Sequence, residues 1–132
     1  MNITRHCFIL IASAVISSLA AASTPHENAI AEYVAAGNSL ITVLTGIKDV
    51  NTAKAAQTNL QGAMVRFNAA KDALNKLNFD KSDPAHLAAV KNATTDLQGI
   101  GVRLSAEMAR IRKLPQVRRT LQQTLAMGSS TP

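Results

Sequence analysis

Three long stretches of this chain repeat apolar residues at alternating three- and four-residue steps, and that spacing leaves few choices of fold. Such steps place every apolar side chain on one face of an α-helix, whereas a strand would need strict alternation. The most regular stretch runs Ala53, Ala56, Leu60, Ala63, Phe67, Ala70, Leu74 and Leu77. Four of these eight positions are alanine, so the axis of a neighbouring helix is expected near the close end of the usual range of about 8–10 Å. The stretch before it carries Ile30, Tyr33, Gly37, Leu40, Leu44 and Ile47, widened by Val34 and Ile41. The stretch after it carries Leu87, Val90, Leu97, Leu104, Met108 and Ile111, with Thr94 and Gly101 in the same register. Aromatic residues make up only 3% of the chain, so the core must be aliphatic and alanine-rich.

Helix boundaries are written between these stretches. Thr24-Pro25-His26-Glu27 has a capping threonine, a first-turn proline and a glutamate three residues after the cap, which is a capping box. Gly46 with Asp49 and Asn51 supplies turn chemistry, and either Asp49 or Asn51 can cap a second helix from about residue 52 to residue 77. Residues 78–83 read as a polar loop, and Asp83-Pro84 restarts a helix in the preferred cap-then-proline order. Gly99 and Gly101 weaken the third helix, so a close helix contact or a local bend is expected there. They do not form a nucleotide-binding loop, because no strand precedes them and the third glycine is missing. Pro115 kinks or ends that helix, and Val117, Leu121 and Leu125 suggest a shorter C-terminal one.

The expected fold is therefore all-α. It is an antiparallel up-down-up three-helix bundle with a Pro-kinked or separate short C-terminal helix, spanning residues 23–127 and followed by a disordered tail at 128–132. An extended hairpin that dimerises is the structural rival.

Residues 1–22 have a different character. Arg5 precedes an apolar run diluted by Ser13, Ser17 and Ser18, and Ala20-Ala21-Ala22 closes it with small residues. That is the pattern of a secretory signal peptide, and the run is shorter than the roughly 20 residues a membrane span needs. Cleavage after Ala22 would remove Cys7, the single cysteine, so no disulfide is expected despite an oxidising destination. The protein is expected to be exported, to the periplasm of a Gram-negative host or beyond the cell.

No catalytic constellation emerges, and the expectation is that the chain is not an enzyme and carries no cofactor. The serines lack a nucleophile-elbow context, and no His–carboxylate pair lying within one helix has metal-ligand spacing. In an up-down-up bundle His26, Glu27, Asp80, Asp83 and His86 would meet at one end, where zinc is conceivable; the plainer reading is that polar residues populate helix starts. The formal net charge is +6. The cations concentrate late in the chain, and in a bundle Lys48, Lys54, Arg110, Arg112, Lys113, Arg118 and Arg119 would gather at the opposite end. Cations near helix C-termini are favoured by the dipole alone. Their functional reading is contact with an anionic surface, such as lipid headgroups or an acidic polymer. No aromatics are interleaved for base stacking, so specific nucleic-acid recognition is not expected.

Residues 40–49, LITVLTGIKD, followed by Thr52-Ala53-Lys54-Ala55-Ala56, resemble a pattern of small exported bacterial α-helical proteins of unknown function. In those a VLxxIKDxxSAKAA corner joins two helices, the second bearing Leu and Met as Leu60 and Met64 do here. Residues 104–111, LSAEMARI, match a second stretch of that pattern, and the resemblance covers roughly residues 30–111. Asn51-Thr52 departs from it, standing where an acidic residue and Ser are usual, as does the basic C-terminal extension. The resemblance implies a helical fold and export and supplies no site residues.

The leading functional expectation is an exported non-enzymatic bundle acting by protein–protein contact, with an unidentified partner or itself, or as an envelope component. The alternative is a peripheral binder of anionic lipid or acidic polymer through the basic C-terminal region.

Overall fold

The computed structural model describes residues 23–127, so the signal-peptide reading of residues 1–22 and the tail at 128–132 lie outside the described residues. Four helices occupy this span: α1 (Pro25–Gly46), α2 (Val50–Lys76), α3 (Pro84–Arg112) and α4 (Pro115–Met127). Among the described residues there is no strand, and no helix is long and apolar enough to cross a membrane. The all-α class is thus as expected.

Each start signal acts as the sequence suggests. Thr24 Oγ1 accepts from the Glu27 amide at 3.2 Å, and Glu27 Oε2 accepts from the Thr24 amide at 2.9 Å, closing the capping box of α1. At α2 the cap is Asp49, whose Oδ1 accepts from the Thr52 amide at 2.8 Å. Thr52 returns the bond, its hydroxyl oxygen accepting from the amides of Lys48 and Asp49, each at 2.9 Å. Asp83 caps α3 through the Ala85 amide, with Pro84 in the first turn. Pro115 opens a new helix instead of kinking the old one, after Lys113 and Leu114 form the turn.

Helix α1 is the hub. It packs against α2 on one side and α3 on the other, while the backbones of α2 and α3 stay more than 8 Å apart, Cα to Cα. Helix α4 lies across from α1 and bridges α2 to α3. Its Val117 and Leu121 are buried with Leu40, Leu44, Ile47, Leu60 and Ile111 in one core cluster. Gln57 of α2 adds a hydrogen bond to the Thr120 carbonyl at 2.9 Å.

The apolar stripes of α1 and α2 face this core as expected, with Phe67 half-buried against Tyr33 at 5.0 Å between ring centroids. The stripe assigned to α3 faces the core only in its later part. Leu87 and Val90 are 52% and 39% exposed, and Thr94 and Gly101 are exposed too, while Ala89 and Ile100, outside that stripe, are buried. The cause is the α1–α3 contact. Ile100 inserts against Gly37, where an added Cβ would stand 2.8 Å from Ile100 Cγ2. That docking fixes the roll of α3 and turns the Leu87–Val90 line away from α1. The later part of that line reaches the core cluster: Ile111 is buried in it, and Leu104 and Met108 pack against it. The close approach expected at Gly99 and Gly101 is therefore made by Gly37, since a Cβ at either of the other two would meet nothing within 4 Å.

Candidate functional site

Arg110 explains how the basic end of the molecule is assembled. The last carbonyls of a helix have no partners of their own, and α1 ends without a glycine in the left-handed conformation, since no described residue has a positive φ. The Ile47 amide turns back to the Leu44 carbonyl at 3.0 Å, and Arg110 of α3 completes the capping across the helix interface. Its Nη1 donates to the Ile47 carbonyl and its Nη2 to the Leu44 carbonyl, both at 2.7 Å. Its Nε donates to Glu107 Oε2 at 2.8 Å, so all three guanidinium nitrogens are engaged. The planar fork of arginine suits this task, which a lysine ammonium would not match. The corner at 40–56 and the stretch at 104–111 are thereby neighbours in space.

The α3–α4 turn completes this pole. A shallow hollow is lined on one side by Lys48 and Asp49 and on the other by Pro115 and Val117. Lys48, Lys54, Arg112, Lys113, Arg118 and Arg119 are all exposed around it or within the adjoining helical turns. Among the described residues none of these six forms a salt bridge. The two acids of this pole are occupied. Glu107 is paired with Arg110, and Asp49 is held by Thr52, whose amide first and hydroxyl second keep the Asp49 carboxyl below the ordinary aspartate range. Of the seven cations proposed from the sequence, Arg110 is therefore a structural clamp, and six remain as solvent-facing charges. Such a set can attract anionic groups by Coulomb forces screened over a Debye length of about 8 Å at physiological salt. It holds no nucleophile paired with a base.

At the other end the structure brings His26, Asp80, Asp83 and His86 together, while Glu27 stays with its cap. The two imidazoles meet at a 37° tilt with centroids 3.7 Å apart, and the Phe79 ring meets His26 edge-on at 4.7 Å. The Asn78 carbonyl, 2.9 Å from His26 Nε2, can only accept, so that nitrogen carries a proton. The Asp80 amide donates to His86 Nδ1 at 3.1 Å, and His86 Nε2 lies 3.6 Å from Asp83 Oδ2. These bonds tie the starts of α1 and α3 to the loop between α2 and α3. Two hydrogen bonds from Ser82, first from its hydroxyl and then from its amide, hold the Asp80 carboxyl below its ordinary range. Among the described residues no group of three or more His, Cys, Asp or Glu is placed to hold a metal ion.

Sequence reasoning found both ends but missed the Arg110 clamp. Its only signal is an arginine one turn before the end of a helix that packs beside another helix terminus. No family model, no curated protein and no solved structure matches this chain.

Proposed function

We propose that this chain is an exported, non-enzymatic helical bundle of the bacterial envelope that works by contact, and that its contact surface is the basic pole. The observation that carries this reading is the group of six exposed cations without acidic partners, gathered from four helix ends. A solvated basic face produced by helix dipoles alone would need no such convergence. The arrangement in which α1, α2 and α3 run up, down and up, with α4 folded back between α2 and α3, accounts for the convergence, because it brings the ends of α1 and α3 beside the starts of α2 and α4. Export rests on the pattern of residues 1–22 and goes with the resemblance to small exported helical proteins. The expected partner is a surface of anionic lipid headgroups, for which point charges suffice and no base-stacking aromatic is required.

Co-sedimentation with vesicles rich in phosphatidylglycerol tests it. Binding should appear at low salt, weaken steeply as salt rises, and vanish when Lys48, Lys54, Arg112, Lys113, Arg118 and Arg119 are replaced by glutamine. Absent binding, or binding indifferent to salt, removes the proposal. Retention of the protein by an acidic polymer but not by vesicles would replace the lipid as partner.

A further inference from the structure

A second feature is a half-open apolar pocket beside α4, the shortest of the four helices. Helix α4 has 13 residues against 22, 27 and 29 in α1, α2 and α3. The backbones of α2 and α3 stay more than 8 Å apart, and α4 bridges them over only part of their length. Beside its last turn is a pocket of about 190 Å³. Its walls are Leu44 from α1, Leu60 and Met64 from α2, Leu104 and Met108 from α3, and Leu125 from α4. Asn68 is the single polar residue among the described lining.

We infer that this pocket is a binding site for a small uncharged hydrocarbon group, the size of one aromatic ring or a short alkyl chain. Water at the walls is poorly held, because they offer one polar side chain against the about two to four polar partners of a well-ordered buried water. The volume exceeds the roughly 150 Å³ of a leucine-lined cavity that stays dry and takes up benzene. The chain that follows α4, Gly-Ser-Ser-Thr-Pro at 128–132, carries no large apolar side chain with which to fill it. Two walls are methionines, whose unbranched thioethers adapt to guests of differing shape. No cation belongs to the lining, so a carboxylate or phosphate is not part of the ligand that enters. The site is independent of the basic pole, none of whose six free cations lines it.

Titration of the methyl-labelled chain with benzene, 1-octanol and octanoate tests this by NMR. Benzene and 1-octanol should saturably shift the ε-methyls of Met64 and Met108 while leaving the exposed methyls of Leu87 and Val102 unmoved. Octanoate should bind about tenfold more weakly or worse, since burying its charge without a partner is costly. Leu104→Trp, which fills the pocket, should abolish the shifts while the chain still melts cooperatively; Met108→Phe serves if that variant does not fold. Non-saturable shifts, equal shifts at Leu87 and Val102, or unchanged binding in a folded filled variant would overturn the site. Octanoate binding as tightly as 1-octanol would overturn the uncharged ligand class.

Discussion

At the scale of single residues, three positions set the geometry. Gly37 admits Ile100, and an alanine there would press a Cβ to 2.8 Å from a branched methyl that cannot rotate away freely. Removing a helical glycine gains about 1 kcal/mol, and overpacking costs about 1–3 kcal/mol. Gly37→Ala should therefore destabilise the fold by up to about 2 kcal/mol. In an Ile100→Ala background the same change should become stabilising, a sign reversal that a double-mutant cycle by denaturant titration reads directly. Arg110→Met should cost about 1–3 kcal/mol, because it strands the Ile47 carbonyl and the Glu107 carboxylate and leaves the Leu44 carbonyl with only the Ile47 amide; Arg110→Lys should recover little of it. Asp49 makes a prediction about pH. Its carboxyl titrates below the ordinary aspartate range in the fold, so the unfolded chain takes up the proton first. The stability it contributes is complete above the unfolded pKa and is lost as pH falls through the lower folded one. Asp49→Asn, which keeps a capping oxygen, should flatten this acid limb of a pH-dependent thermal melt while changing the melt at neutral pH little.

Among the elements, α1 and α2 were legible in the sequence and α3 only in part. For α1 and α2, apolar spacing, caps and burial all point to one face. Phe67 is half-buried, so Phe67→Ala should fall toward the lower end of the about 3–5 kcal/mol of a core phenylalanine. For α3 two apolar lines run along the earlier part of the helix, Leu87–Val90–Leu97 and Ala89–Ile100, before Leu104, Met108 and Ile111. Spacing alone favours the first because its side chains are larger. The second wins because a notch at Gly37, sixty-three positions away in the chain, receives Ile100; no local pattern encodes that contact. The fate of the segment after Pro115 was likewise undecided by sequence, since proline serves equally as a kink and as a first helical residue. Truncation of side chains separates the two kinds of position. Leu121→Ala, in a fully buried site of α4, should cost about 2–5 kcal/mol, whereas Leu87→Ala should stay within about 0.5 kcal/mol of the parent. Equal losses at both sites would mean that α3 is rolled to its other face.

For the whole molecule, shape and charge are arranged along one axis. The end built from the histidine clasp mixes signs, with Asp72, Asp80 and Asp83 near Lys71, Lys76 and Lys81. The end built around Arg110 has its acids occupied and its cations free. The candidate cations were readable from sequence as a late basic cluster joined by two corner lysines. What could not be read was which of them the fold itself uses, because the orphan carbonyls that claim Arg110 belong to another helix. Whether position matters or only net charge is the decisive question for a contact function. Vesicle co-sedimentation of two charge-matched variants answers it. One replaces Arg112, Lys113, Arg118 and Arg119 by glutamine; the other replaces the exposed Lys71, Lys76, Lys81 and Lys91, removing the same charge elsewhere. The first variant should lose binding to phosphatidylglycerol-rich vesicles and the second should keep it, whereas equal weakening of both would contradict a basic pole as the surface through which this protein acts.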